Sequence, residues 1–391
     1  MRAIDSRPGF CLPGLLILIL LTGLPALPAA AQVGGAAVVF LKIEPDSRAA
    51  GMGNAGVALA DNASAMFWNP AGLAFQRGTE LGITHSNWLP EFNAGLFYEY
   101  LVAKHNLPGW GTLGAHVTYL FLGEHERRDD NNVALGTFKS FDLAVGASYG
   151  FKLSKHFALG TSLRFIYSDL ADGEVDGQTT KPGIGGAFDV AGLYRSSPFG
   201  LGGIQTTFSA GFNLANMGPT IRYTDGPDAD ADPIPTNLRF GYAFTFEFDE
   251  FNKLSIVQDF NKDLIRTRAD STGSDVDPWY KAIFSAWQPI EVCSATVDQC
   301  REDPSKLQKL GVMDQITIGT GLEYWYNNLF AIRTGYFYEN PLNGNRKFMT
   351  LGAGIRYNII GVDFSYIYAL EEQSPLANTM RFSLLLNFGR E

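Results

Sequence analysis

The side chains able to do chemistry are few and scattered. Five histidines, His85, His105, His116, His125 and His156, lie in the first half of the chain. Only His116 falls in mid-strand, where period-two parity sets it on one face with Thr112, Gly114 and Thr118. A His116–Thr118 pair would place a base beside a hydroxyl. Nucleophilic catalysis also needs a third group to orient the base, and the pattern supplies none. His116 is therefore read as an inward-facing polar side chain, and no catalytic residue is assigned. Acidic clusters at Asp129, Asp130, Asn131 and Asn132 and at Asp225, Asp228, Asp230 and Asp232 carry the hard oxygens that suit calcium, without the spaced ligands and glycine of a dedicated loop. They are read as solvated surface acid. No phosphate-cradling glycine loop, zinc spacing or redox motif occurs, so no metal and no cofactor is expected.

Cysteine usage points to an exported chain. Arg2 and Arg7 precede an apolar core from Leu12 to Leu24, and Ala29, Ala30 and Ala31 supply the small residues before a cleavage site. Residues 1–31 are read as a secretory signal for the Sec pathway, which takes Cys11 with it. Pro13, Pro25 and Pro28 interrupt the apolar run, which falls short of the roughly 20 residues a spanning helix needs. The remaining pair, Cys293 and Cys300, is predicted to form a disulfide in preference to two free thiols. Both lie in the longest predicted loop, 262–312, with Trp279, Tyr280, Phe284 and Trp287. That loop is too apolar for a solvated tether, so it either packs as a lid on the body or binds a partner.

After residue 31 no segment approaches the roughly 18 consecutive apolar residues of a membrane helix, so any crossing must be made by strands. Charged residues are only 18% of the chain and glycines number 43, as expected when oily and polar faces alternate along strands. The net charge of −10 argues against nucleic acid as a partner. Period-two segments bounded by turn residues fall at 79–88, 93–103, 111–122, 138–151, 157–169, 184–195 and 206–215, then at 236–248, 252–261, 313–326, 328–339, 347–358, 360–370 and 380–389. The alternation is cleanest at the end of the chain, where Phe382, Leu384, Leu386 and Phe388 oppose Arg381, Ser383, Leu385 and Asn387. The expected fold is all-β: a transmembrane antiparallel barrel of about fourteen strands spanning 79–391. Tyr98, Tyr100, Tyr119, Tyr167, Tyr324, Tyr326, Tyr336, Tyr338, Tyr357, Tyr366 and Tyr368 are expected to form its interfacial girdles. Short links at 105–110, 152–156, 249–251, 327 and 359 alternate with long ones at 123–137, 170–183, 216–235 and 262–312, which assigns the long set to the cell surface.

A barrel of about fourteen strands is too wide for wall side chains alone to fill. Inward charges Arg164, Glu323, Arg333, Arg356, Asp363 and Arg381 then imply a lumen that is wet or plugged. The candidate plug is an N-terminal segment, 32–78, placed on the periplasmic side by its position before the first strand. Its stretch from Ser47 to Phe75 is rich in Gly and Ala, which allow close backbone packing. Asp61 and Asn62 can start or cap a turn of helix, and Asn69-Pro70 is a strong turn signal.

The run Asp61-Asn62-Ala63-Ser64 followed by Asn69-Pro70-Ala71 resembles the N-terminal signature of FadL-type outer-membrane barrels. The fuller form Asp46-Ser47-Arg48-Ala49-Ala50-Gly51-Met52-Gly53 resembles the PorV/PorQ branch of that group, and Ser374 to Ser383 is similar to the closing strand of its PorV side. The likeness runs from about Val38 to the end. It implies a non-enzymatic outer-membrane component of the Bacteroidetes type IX secretion system. Such a component holds cargo with C-terminal signal domains as it leaves an SprA-type translocon and delivers it to a PorU-type sortase, in contact with outer-membrane lipid. The alternative is a FadL-like transporter of hydrophobic small molecules, which requires an apolar pocket formed partly by Phe67, Trp68 and Phe75.

Overall fold

The computed structural model describes residues 35–389 except 129–132, 176–177, 225–230, 271–272, 294–302 and 373. The signal segment, the first acidic cluster, Asp225, Asp228 and Asp230 of the second, and Cys300 therefore lie outside the described residues.

Fourteen antiparallel strands close into one ring. They are β1 (Thr79–Asn87), β2 (Phe97–Leu107), β3 (Gly111–Arg128), β4 (Ala134–Lys152), β5 (Phe157–Asp169), β6 (Gly183–Arg195) and β7 (Ile204–Met217), then β8 (Asn237–Glu247), β9 (Asn252–Asp263), β10 (Ile316–Tyr326), β11 (Phe330–Tyr338), β12 (Lys347–Tyr357), β13 (Ile360–Ala369) and β14 (Met380–Phe388). Each strand pairs with its neighbour in sequence, and β14 returns to β1 with Thr79 opposite Phe388 and Ser86 opposite Arg381. Closure pairs the first strand with the last, which matters because an unpaired backbone group in hydrocarbon costs several kcal/mol. Among the described residues no helix is long and apolar enough to cross a membrane.

The alternation read from the sequence is the burial pattern of the wall. In β14, Phe382, Leu384 and Phe388 are exposed on the outer face while Arg381, Ser383, Leu385 and Asn387 are buried. Aromatic rings line the outer face toward both rims. Phe97 stacks on Phe121 at 5.0 Å and Phe141 on Tyr167 at 5.9 Å on one side, and Tyr149 on Phe151 at 5.7 Å and Phe208 against Phe244 at 4.9 Å on the other. Tight turns are helped by asparagines that tolerate a left-handed backbone: Asn327 and Asn328 after β10 and Asn358 after β12 have φ of 54°, 49° and 52°.

Three expectations are corrected. Tyr98 and Tyr100 are not in a girdle; both face inward and are buried beside Phe40, Leu41 and Met66. In β2 both faces are apolar, so an aromatic residue does not mark the lipid side. The loop expected at 123–137 is mostly strand, since β3 runs to Arg128 and β4 begins at Ala134. Lastly, the N-terminal segment does not stay on the periplasmic side. Its first residues reach the outer mouth, where Ala37 N–H donates to the Pro233 carbonyl at 3.0 Å and Lys42 Nζ meets Asp263 at 2.6 Å. Its last turn, Pro70–Phe75, lies at the periplasmic rim, with Phe75 under Lys152 and Arg195 at the lower ends of β4 and β6.

The segment packs tightly because the wall presents glycines to it. A Cβ added at Gly160 would lie 2.2 Å from the Ala71 nitrogen, and one at Gly335 would lie 2.1 Å from the Gly53 nitrogen. Both are backbone contacts that cannot yield. We predict that Gly160→Val costs about 1–3 kcal/mol or more through overpacking. It should lower the temperature at which the folded, fast-migrating band is lost on SDS gels. Gly200→Val, with no neighbouring atom within 4 Å of the added carbon, should leave that temperature unchanged.

Candidate functional site

Residues 37–75 occupy the barrel lumen with little regular structure, so most of their backbone polar groups must find partners outside helices or strands. The wall supplies many of them. Asp259 accepts from the N–H groups of Gly56 at 2.7 Å and Val57 at 2.9 Å, Glu80 from Ala63 at 2.8 Å, Thr350 from Gly53 at 2.9 Å, and Ser383 from Ser47 at 3.1 Å. Each acceptor sits at an inward position of a strand. Within the segment, the one-turn helix α1 (Ser47–Ala50) is capped by Asp46, whose carboxylate accepts from Ala49 N–H at 3.3 Å and from the Trp68 indole at 2.6 Å. Burial pushes the Asp46 carboxyl above its ordinary value, and the Trp68 and Ala49 donors work against that rise.

A chain of alternating charges ties this segment to the wall. Asp61 accepts from Arg48. Arg48 donates to both oxygens of Glu323, each at 2.7 Å. Glu323 also accepts from Arg333 at 2.7 Å, Arg333 donates to Asp363 at 2.8 Å, and Asp363 accepts from Arg356 at 2.5 Å. Three acids and three arginines from the segment and from β10, β11, β12 and β13 thus cancel one another. The Arg333 and Arg356 guanidinium groups also lie over the Trp325 ring, each at 5.4 Å. Desolvation would raise the Asp61 carboxyl, but the charge and hydrogen bond of Arg48, with the Arg195 charge, together hold the group below its ordinary value. On the Arg48 side, burial opposes the charge, and Asp61 and Glu323 outweigh it to raise the guanidinium well above its usual range.

The residues singled out in the N-terminal motif take distinct places. Asp61 is in the charge chain rather than at a helix start; the short helix α2 (Ala65–Trp68) follows Ser64, which makes no side-chain cap. The Asn62 carbonyl accepts from Gln76 at 2.8 Å. Asn69 Nδ2 donates to the carbonyls of Val57 and Gly192, both at 3.1 Å, while its Oδ1 accepts from Ala71 N–H at 3.1 Å across the Pro70 turn. Phe67 and Trp68 do not open into an apolar pocket. The Arg239 guanidinium covers them at 4.2 Å and 5.6 Å, and the cavities described beside them are small: about 40 Å³, shared with Lys42, Glu44 and Asp259, and about 10 Å³ between Phe67, Phe40 and Tyr100. His116 faces inward and packs against the Tyr100 ring at 5.9 Å, with no hydrogen bond at Nδ1. Among the described residues, no group of three or more His, Cys, Asp or Glu could hold a metal.

The outer mouth is asymmetric. In β7 the register shifts between Leu214 and Met217, with Asn216 at φ 58°; Met217 still pairs with Phe188, and the strand ends there. The loop that follows returns inward, so that Ile221 and Ile234 are buried over Phe40 and Leu41. The loop between β9 and β10 carries a helix α3 (Trp279–Ser285) and a small hairpin of Ile290–Cys293 with Leu307–Leu310. Trp279 packs edge-on against Phe188 at 5.2 Å, whereas Tyr280, Phe284 and Trp287 are exposed. A groove of about 500 Å³ separates α3 from the loop after β7, lined by Pro219, Ile234, Leu264 and Trp279 among others. Cys293 ends its strand in a disulfide. The wall acceptors Asp259, Glu80 and Thr350 were not foreseen as plug contacts. Their only signal in the sequence was a polar residue at an inward parity position.

A closed, oil-faced ring of strands with its lumen filled by its own N-terminal segment is a FadL-like outer-membrane barrel. Residues 29–270, more than half of the chain, match the family described as type IX secretion system protein PorV, and the chain belongs to that family. Among solved structures, it is similar to the Pseudomonas putida toluene transporter TodX, at 10% identity and a TM-score of 0.52 over 89% of this chain and 100% of that one. It is also similar to the monoaromatic hydrocarbon channel CymD, at 13% identity and a TM-score of 0.50 over 90% and 99%. At such identity the likeness establishes the fold alone. No curated protein sequence matches the chain.

Two tests follow from the site. Arg48→Met leaves the buried Glu323 with one partner fewer, and half-exposed Asp61 without its arginine, and should cost about 3–5 kcal/mol, nearly all of it at Glu323. It is expected to lower the gel-shift temperature and to raise ion conductance across planar bilayers, with Glu323→Gln in the same chain recovering part of the loss. The proposed Cys293–Cys300 pairing predicts that alkylation of the unfolded mature protein adds no mass without reductant, and two adducts after reduction.

Proposed function

We propose that this barrel is the cargo-holding component of a type IX secretion system: it binds the C-terminal signal domains of secreted proteins at an SprA-type translocon and passes them to a PorU-type sortase. The observation that carries this reading is the family match over residues 29–270. On this reading residues 1–31 are the export signal, the N-terminal segment serves as a fixed plug, and the barrel performs no chemistry of its own. Work is then done at the outer mouth, by the loops after β7 and β9 that overhang the lumen. The plug geometry supports it, since a lumen crossed by a closed charge chain, with cations laid over Phe67, Trp68 and Phe75, is poorly suited to passing hydrophobic molecules.

Deletion of the gene in its host, with cell-surface and periplasmic proteomes compared side by side, tests the proposal. Many unrelated proteins sharing a C-terminal signal domain should be retained in the periplasm. An unchanged surface proteome, with slower uptake of a hydrophobic nutrient, would replace the proposal with the FadL-type transporter.

A further inference from the structure

Helix α3 does not stand over the mouth; it lies against the outside of the wall. Phe188, which Trp279 touches at 5.2 Å, pairs across β5 and β6 with Leu163, and Leu163 is 66% exposed on the lipid-facing side. At the other end of the helical segment, Trp287 packs under Lys262 Nζ at 5.6 Å. By strand parity Lys262 shares the outer face of β9 with Ile256, which is 38% exposed, and it reaches over the rim to the mouth cavity that Asn261 and Asp263 also line. It is nevertheless buried and donates to Gln315 at 2.6 Å. The helix therefore spans from the outer face of β6 to the outer face of β9, across the tops of β7 and β8, at the level where β7 ends with Met217 opposite Phe188.

Its depth follows from the residues around it. Phe188 lies between Val190 and Ile184, both exposed on the outer face, and Ile184, at 61% exposed, is nearer the outer rim. Lipid-facing wall thus continues outward past the level at which α3 touches β6. The helix is two-faced: Ala282 and Ala286 are buried against the body, while Tyr280, Phe284 and Trp287 are 60%, 80% and 42% exposed. Its polar groups are satisfied locally. The Trp287 indole donates to the Ile283 carbonyl at 2.8 Å, Ser285 donates to Asp277 at 2.6 Å, and Lys281 pairs with Asp277 at 2.7 Å. An uncharged aromatic stripe on a short helix, continuous with a lipid-facing wall, has the composition of an element lying in a membrane interface.

We infer that α3 is embedded in the outer leaflet, with Tyr280, Phe284 and Trp287 among the lipids, and that it covers from the membrane side the gap left by β7. A helix laid over a frayed strand edge also shields the backbone groups that the edge would otherwise present to lipid. This assignment rests on the barrel alone and stands or falls independently of cargo binding. It places the aromatic stripe against lipid, leaving the remainder of the loop for any protein partner.

The test uses the full mature chain in nanodiscs of phosphatidylethanolamine and lipopolysaccharide. Tyr280→Cys and Phe284→Cys are spin-labelled without reductant, so that Cys293 stays blocked. Collision with oxygen is then compared with collision with a water-soluble nickel chelate. Leu163→Cys on the lipid-facing wall and Lys155→Cys in the exposed β4–β5 turn serve as references. Labels at 280 and 284 should behave like the label at 163, favouring oxygen several-fold. Behaviour like that at 155 overturns the inference and leaves the stripe as a water-facing surface awaiting a protein. Should either variant fail to fold, brominated acyl chains can be used to quench the tryptophan fluorescence of the wild type and of Trp287→Phe. Loss of a quenchable component in the variant is expected, and identical quenching overturns the assignment.

Discussion

Hydrogen bonding of an irregular chain inside a membrane barrel is the constraint on which the rest depends. The strands solve most of their own part by ring closure, which pairs the first strand with the last. The segment from Ala37 to Phe75 has only two one-turn helices and a few 3₁₀ turns, so it relies on donors and acceptors brought by the wall. Asp259, Glu80, Thr350 and Ser383 are therefore structural in a specific sense: each accepts a backbone N–H that has no helical or strand partner. The wall glycines belong to the same solution, because backbone can reach a side-chain acceptor only where the wall carries no bulk.

The charge chain from Asp61 to Arg356 shows how inward polar residues of a wide barrel are reconciled with a filled lumen. A single buried charge is costly, whereas six that alternate and share bidentate contacts neutralise one another. The inward charges that suggested a polar lumen are thus mostly used up in holding the plug. What remains available to the surroundings is the outer mouth, where the loops after β7 and β9 break the regularity of the ring.

Strand positions were legible because a two-sided environment forces a period of two, and β14 displays it with Leu385 as its one apolar inward residue. The same rule failed for Tyr98 and Tyr100, since it assumes that the inner face is polar. A lumen packed with Phe40, Leu41 and Met66 makes the inner face of β2 as apolar as the outer one, and alternation then loses its sign. The loop expected at 123–137 was misread for a related reason: beyond the membrane a hairpin has no lipid face, so strand can continue without apolar alternation. The motif around Asp61 and Asn69 stood out, but Asp61 acts through Arg48 and Glu323, a partnership separated by 275 positions between the latter two.

By itself the sequence determined the number and order of the strands, most of the alternation of short and long connections, and the presence of a small-residue segment ahead of them. Each of these depends on local periodicity, turn chemistry or composition. Only the tertiary structure decided that this segment climbs from the periplasmic rim to the outer mouth, that the charges close into one chain, and that the aromatic helix rests on the outside of the wall. Those outcomes depend on which residues meet across the ring, and ring closure brings together positions whose spacing along the chain carries no trace of the contact.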